Sequence, residues 1–271
     1  RQIVADIGAG ELPPLPVRTF AREETIDAFR FMAQARHIGK IAVTQPGGQP
    51  VTIRPDGAYL VTGGLRGLGL LVADWLAAQG ARHLALVGRR HPDQQAAALI
   101  ARLEADGVQV YTAQVDVTNA SQMSALFSDM ADCLPPLRGV IHSAGTLADG
   151  VLLQQEWSQF ARVLGPKVTG AWQLHLLTER LPLDFFVLFS SIASLTGAAG
   201  QGAHAAANVF LDALAQYRRS QGLPGLSIDW GAWTEVGAAV RHGVFERTMA
   251  QGIGAIEPAQ GLRLLGELLP E

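Results

Sequence analysis

Cysteine is nearly absent: Cys133 stands alone in 271 residues. A lone thiol excludes an intrachain disulfide and any zinc site built on several cysteines, and it suits a reducing compartment. Charge is sparse as well, at 17% Asp, Glu, Lys and Arg with a formal net charge of −3. No block of lysine or arginine occurs, which argues against nucleic acid or an anionic membrane as the main partner. Tyrosine is scarce too, limited to Tyr59, Tyr111 and Tyr217. The chain does not open on the basic, apolar and small-residue zones of a secretory signal, so a cytoplasmic location is expected. What remains is an ordinary core-forming composition, 48% hydrophobic, long enough to bury a large interior.

One long apolar run needs interpretation. Phe185 to Leu211 contains no Asp, Glu, Lys or Arg and is long enough to span a bilayer. It also carries Ser190, Ser191, Ser194, Gln201, His204 and Asn208, with glycines at 197, 200 and 202. A buried strand, a glycine-rich loop and a helix fit this pattern better than a membrane span.

Composition shifts near residue 45. Before it, Leu12-Pro13-Pro14-Leu15-Pro16 precedes a stretch in which Ile26, Phe29 and Met32 space like a short amphipathic helix, and Gly39–Thr44 reads as a strand. This unit is too small for an independent core. It is either a leader that packs on the main domain or the remnant of a preceding one. Gln45-Pro46-Gly47-Gly48-Gln49-Pro50 reads as a linker, so domains of 1–50 and 51–271 are expected.

From Ala58 onward, strands are predicted at Ala58–Thr62, His83–Gly88, Val108–Gln114, Gly139–Ser143, Leu183–Ser190 and Leu226–Asp229. Helices are predicted near 68–79, 93–106, 120–133, 156–180 and 203–221. Strands apolar along their whole length belong in a parallel sheet covered on both faces. The alternation predicts an α/β, doubly wound, mostly parallel Rossmann sheet preceded by the short helix–strand segment. One more helical stretch leads into Leu268-Leu269-Pro270-Glu271, so a final edge strand is expected to be missing.

The first strand runs into Thr62-Gly63-Gly64-Leu65-Arg66-Gly67-Leu68-Gly69, and a helix follows at once. Glycines at 63, 67 and 69 allow a tight turn and close approach of backbone to a pyrophosphate seated on the helix N-terminus. The second strand ends in Arg89-Arg90, where an NAD-selective site wants a carboxylate for the ribose hydroxyl. Arg89, with Arg90 or Arg66, offers charge-assisted donors to a 2′-phosphate instead, which points to NADPH. Within Val115-Asp116-Val117 the carboxylate either accepts from the adenine amino group or caps the helix starting near Asn119. Ser143-Ala144-Gly145 ends the fourth strand, where the nicotinamide ribose should lie. His142 beside it reads as a satisfied buried imidazole, and Cys133 as inert. No metal site is expected.

Together with Val187-Leu188-Phe189-Ser190-Ser191, Gly200-Gln201, Ala205-Ala206-Ala207-Asn208, Leu211-Asp212-Ala213-Leu214-Ala215 and Asp229-Trp230-Gly231-Ala232-Trp233, these residues carry a family likeness. The chain from about 56 to 268 resembles the ketoreductase domain of a polyketide synthase, within the short-chain dehydrogenase/reductase superfamily. The resemblance implies that Ser191 holds a substrate carbonyl, Lys167 binds the nicotinamide ribose and Asn208 completes a proton relay. It also implies that Trp230 and Gly231 line the nicotinamide. A catalytic tyrosine should precede Ala205, yet that position is His204. Imidazole reaches roughly 2 Å less far than a phenol, and a misplacement of about 1 Å already costs ~100-fold. Loss of a general acid costs about 100- to 10,000-fold.

Leu147-Ala148-Asp149 stands where D-hydroxy-forming relatives carry a Leu-Asp-Asp signature, so the resemblance favours that product, with Asp149 the retained carboxylate. Trp233 to Gly254, with its several glycines, reads either as a lid or as a helical insert. The family's substrate is a β-ketoacyl thioester on the phosphopantetheine arm of an acyl carrier protein, and other domains of the same synthase are implied partners. Pro14-Leu15-Pro16, Phe20, Ala28–Met32 and Arg36–Ile41 resemble the end of a polyketide synthase enoylreductase domain. A catalytically silent NADPH-binding scaffold is the competing expectation, resting on His204. An epimerase or dehydratase would need a further acid–base pair that the sequence does not supply.

Overall fold

The computed structural model describes residues 13, 15–21, 24–34, 38–44, 51–234 and 254–269. The chain divides between Pro50 and Val51 into two units. In the first, β1 (Val17–Ala21) pairs in parallel with β2 (Lys40–Thr44), connected through helix α1 (Thr25–Ala33). The Arg18 guanidinium lies 4.1 Å from the centre of the Phe31 ring. The α1 residues Ile26, Phe29 and Met32 leave their apolar side chains exposed. The sequence reading has the helix and β2 but lacks β1, whose Val-Arg-Thr-Phe-Ala offers only two large apolar side chains.

The second unit is a six-stranded sheet, parallel throughout: β3 (Ala58–Thr62), β4 (His83–Gly88), β5 (Gln109–Gln114), β6 (Leu137–His142), β7 (Phe185–Ser191) and β8 (Leu226–Trp230). Its spatial order is β5-β4-β3-β6-β7-β8. The chain winds outward from β3 in one direction and from β6 in the other, leaving a crevice beyond the carboxyl ends of that central pair. The period-2 alternation of side chains decides which layer each residue joins. Tyr59, Val61, Leu84, Leu86 and Val187 face the layer built with α2 (Gly67–Ala78) and α9 (Pro258–Leu268). Ala58, Leu60, Ala85, Val87 and Leu188 face the layer of α4 (Ala120–Cys133), α6 (Ala171–Thr178) and α8 (Gly202–Ser220).

Burial separates the strands by position. Every residue of β3 is buried, whereas β5, at the sheet edge, alternates toward solvent. The expectation of strands apolar along their whole length fails for β5, because an edge strand has one neighbour and its Gln109 and Gln114 lie exposed. Helix α3 (Gln94–Ala105) is capped by Asp93, whose side chain accepts from the Ala96 N–H at 3.0 Å. Helix α4 is capped by Asn119, accepting from the Gln122 N–H at 3.0 Å.

The expected helix of 156–180 is three pieces. Helix α5 (Trp157–Leu164) widens into a π-turn at Gly165–Gly170 before α6 begins. Pro166 lacks an N–H and cannot continue the α ladder, which is the local reason for a break there. Short helix α7 (Ala193–Thr196) follows β7. No strand follows β8 among the described residues. The lid expected over 233–254 falls almost wholly outside them, and only Trp233, Thr234 and Gly254 are described.

Candidate active site

A cleft of about 830 Å³ runs along the carboxyl edge of the sheet, from Arg89 and Asp116 at one end to Ser191, His204 and Trp233 at the other. Helix α2 points its N-terminus into the cleft. Arg66 occupies its cap position without any side-chain capping bond, and its first turn holds no acidic residue. The leading backbone N–H groups, short of intrahelical acceptors, therefore face the cleft with the positive end of the helix dipole.

The glycines of the turn and of the helix's first residues are sterically required. Gly63 has φ +72 and Gly67 has φ +54, conformations that side chains with a Cβ rarely adopt. A Cβ on Gly69 would sit 2.4 Å from the Gly63 carbonyl oxygen and 2.7 Å from Ser143 Oγ. Gly64 differs: its added Cβ would meet the Val61 carbonyl oxygen at 2.7 Å and Leu86, and it does not line the cleft. Thr62 is also fully buried behind the lining. The remaining residues of the turn, Gly63, Arg66, Gly67, Leu68 and Gly69, do line it.

Arg89 and Arg90 both reach the cleft from exposed positions at the end of β4, and no ion pair holds either of them among the described residues. Asp116 and Val117 line it from the β5–α4 loop. Asp116 does not cap the helix: Asn119 has that role, and Asp116 Oδ1 accepts from the Thr118 N–H at 3.0 Å and the Thr118 hydroxyl at 2.8 Å. Ser143, Ala144 and Gly145 form the floor after β6. The Ser143 hydroxyl donates to the Thr62 carbonyl oxygen at 2.7 Å.

At the other end, Lys167, Ser191, His204, Trp230 and Gly231 line the cleft, with Lys167 near enough to His204 for its charge to act on the imidazole. Lys167 descends from the π-turn and donates from Nζ to the Phe189 carbonyl oxygen at 2.7 Å. Burial lowers its pKa to about 8, partly opposed by Asp212. The Ser191 oxygen accepts from the Ala193 N–H at 3.3 Å, which leaves its own O–H free to donate into the cleft. His204 is pushed down to about 4, first by burial and then by the Lys167 charge, with Asp149 pulling the other way. Its Nδ1 is buried without a hydrogen-bond partner. The imidazole is neutral at pH 7.

Two expected site residues stand back from the lining. Asn208 is fully buried one turn below His204, and its amide donates to the His204 carbonyl oxygen at 2.8 Å. Its Oδ1 is left without a partner. Asp149 sits in the loop beside the α8 N-terminus, and the Gln201 amide donates to both its oxygens at 3.1 Å. The Gly150 N–H donates to the Gly200 carbonyl oxygen at 2.8 Å, so this loop is tied to the loop preceding α8 at two points. Gln201 lines the cleft, a placement the sequence reading does not assign. Its position three residues before His204 on a helix start was the available signal. Likewise Pro166 lines the cleft beside Lys167.

A family model described as the KR domain matches residues 57–235. Over 273 residues the chain is 41% identical to mycoketide-CoA synthase of Mycobacterium tuberculosis, covering 97% of this chain and 6% of that protein. It is 40% identical over 272 residues to erythronolide synthase EryA2 of Saccharopolyspora erythraea, covering 99% and 7%. Among solved structures, an A-type ketoreductase from a modular polyketide synthase aligns with a TM-score of 0.78 at 42% identity, over 83% of this chain and 47% of that one. The first ketoreductase of the tylosin synthase aligns at 0.71 and 38%, over 83% and 48%. The chain thus spans a small part of each synthase and about half of each solved ketoreductase.

Proposed function

Because this chain belongs to the KR domain family of polyketide synthases, within the short-chain dehydrogenase/reductase superfamily, we propose that its cleft reduces a β-ketoacyl thioester to the β-hydroxyacyl form with NADPH. The observation that carries this reading is that Lys167, Ser191 and His204 line one cleft with a glycine turn and two arginines, neither of which has an ion pair among the described residues.

The residues fit a nicotinamide dinucleotide. Glycines whose added Cβ would clash allow close backbone approach, and the uncapped N-terminus of α2 suits a pyrophosphate. Arg89, Arg90 and Arg66 suit a 2′-phosphate, and no carboxylate ends β4 to repel it. Bound there, the cofactor would supply the hydride. The chain's own part is at the oxygen. The Ser191 hydroxyl donates to the ketone and holds it as charge develops. Lys167, charged at pH 7, supplies positive potential from its buried seat. Neutral His204 can donate a hydrogen bond but is a poor proton source, so the final proton is drawn through water.

The substrate in this reading is carried by an acyl carrier protein, and other domains of a longer synthase are partners. Among the described residues no helix is long and apolar enough to cross a membrane. The unit of β1, α1 and β2 is read as the end of an enoylreductase domain, a reading with which the exposed apolar side chains of Ile26, Phe29 and Met32 agree. A second reading, a silent NADPH-binding scaffold, is favoured by His204 alone.

The test is NADPH consumption with a β-ketoacyl-pantetheine thioester, with chiral analysis of the product for the D-hydroxy sense implied by Asp149. Hydroxyacyl product supports reduction. NADPH binding without product supports the scaffold, and no binding overturns both.

A further inference from the structure

His142 lies at the end of β6, 1% exposed, between two elements that the site needs. One of its ring nitrogens, Nε2, is 2.9 Å from the Pro166 carbonyl oxygen, and the other, Nδ1, is 2.7 Å from the Thr62 hydroxyl. A carbonyl oxygen can only accept, so Nε2 carries the proton. Burial pushes His142 down to about 3, and the nearby Lys167 charge adds to this. The ring is therefore neutral, Nδ1 is bare, and the Thr62 hydroxyl must donate to it. The direction of every bond follows.

Each end of this bridge has a function in the proposed site. Thr62 begins the glycine turn, and its own carbonyl oxygen accepts from the Ser143 N–H at 3.1 Å and the Ser143 hydroxyl at 2.7 Å. Pro166 belongs to the π-turn and immediately precedes Lys167. A widened turn lacks the regular ladder that would hold it in place. The imidazole gives it an anchor on the sheet.

We propose that His142 is a positioning residue that ties the nucleotide turn at Thr62 to the π-turn at Pro166 and so fixes where Lys167 enters the cleft. Its relevance to catalysis rests on the reduction reading, but the linkage itself is a property of the free chain. Lys167 faces His142 from β6 and His204 and Asp212 from α8: Asp212 raises its pKa, while its own charge lowers those of the two histidines. None of these is altered by Thr62→Val, which keeps the side-chain shape and removes only the donor to Nδ1.

The experiment follows Lys167 in the free chain by NMR of lysine labelled with ¹³C at Cε, assigned through Lys167→Arg, from pH 6.5 to 10. Thr62→Val is expected to move the Lys167 midpoint by at least ~0.5 pH unit, and Thr62→Ser to hold it within ~0.2. His142→Asn, whose shorter amide cannot reach both partners, provides a second break should Thr62→Val not fold, with the same expected shift. Imidazole ¹⁵N shifts should show His142 protonated on Nε2. An unmoved Lys167 midpoint in the variant that folds, with only a lowered melting temperature, overturns the proposal, as does a proton on Nδ1. No cofactor enters these readings. Failure of the unmodified chain to bind NADPH would sink the reduction reading and leave this result intact.

Discussion

Lys167 donates to the carbonyl oxygen of Phe189 at 2.7 Å, joining the π-turn to the strand that ends in Ser191. The bond fixes a charged group in a place that disfavours charge, and burial brings its pKa down to about 8. As pH rises through about 8, the native lysine loses its proton and the cleft loses its buried positive charge. NADPH binding and any turnover are therefore expected to be level below pH 8 and to fall above it. Fluorescence titration with NADPH from pH 6.5 to 9.5 checks this. A profile still level at pH 9.5 would place Lys167 outside the cofactor's reach.

Gly145 leaves room for the same lysine. A Cβ there would stand 3.2 Å from Lys167 Cε, close enough that the stem must shift by a few tenths of an ångström. Cε is bonded to Nζ, so the shift strains the hydrogen bond that holds the charged end on the Phe189 carbonyl oxygen. Gly145→Ala is expected to lower turnover about 10-fold, a fraction of the cost of a full 1 Å misplacement. Steady-state rates against NADPH concentration measure it.

Arg89 decides between the two nicotinamide cofactors if the 2′-phosphate lies where β4 ends. A charge-assisted hydrogen bond lost with Arg89→Ala is worth about 1.5–3 kcal/mol, or roughly 10- to 100-fold in affinity. The loss is expected for NADPH and not for NADH, because only one carries the phosphate. Paired titrations of the variant with both cofactors test it; equal weakening would mean Arg89 acts on something shared.

The parts legible from sequence were those written in local patterns. Strands such as β3 and β4 have apolar side chains on both faces, and the glycine turn has steric demands that few other residues meet. Four features were not legible. The β1 strand has only Val17 and Phe20 as large apolar residues, too few to show a period. The π-turn carries Gly165, Pro166 and Gly170, which mark an interruption in a helix without showing that it is a widened turn. The direction of the Asn208 amide depends on a carbonyl one turn back, and the burial of His204 depends on neighbours that the local sequence does not name. Side-chain direction and burial are tertiary outcomes that no spacing records.

His142 and His204 both bear on acid stability. Their folded-state pKa values are depressed to about 3 and about 4, below the ordinary value of 6.5 that an unfolded chain recovers. As pH falls below 6.5 the unfolded state takes up protons that the native state refuses, so stability is lost on going toward pH 4. Each histidine contributes up to about 1.4 kcal/mol per pH unit in that window. Urea midpoints between pH 5 and 6.5 should slope accordingly, and His204→Tyr should remove the His204 share of the slope while leaving that of His142. An unchanged slope would mean that His204 is open to water.

The same substitution bears on the chemistry. In the native chain Nδ1 of His204 is buried without a partner, and the ring is neutral. A phenol at this position would extend further into the cleft, toward the oxygen that Ser191 would hold in the proposed reduction, and the Lys167 charge would favour its ionised form. That combination makes a proton donor that a neutral imidazole cannot match. His204→Tyr is expected to raise reduction of a β-ketoacyl-pantetheine by about 100- to 10,000-fold. NADPH affinity should stay within about twofold, since the glycine turn and the arginines are untouched. Equal rates in the two proteins would show that His204, acting through water, already delivers the proton as well as a tyrosine does, and the scaffold reading would then have no residue left to support it.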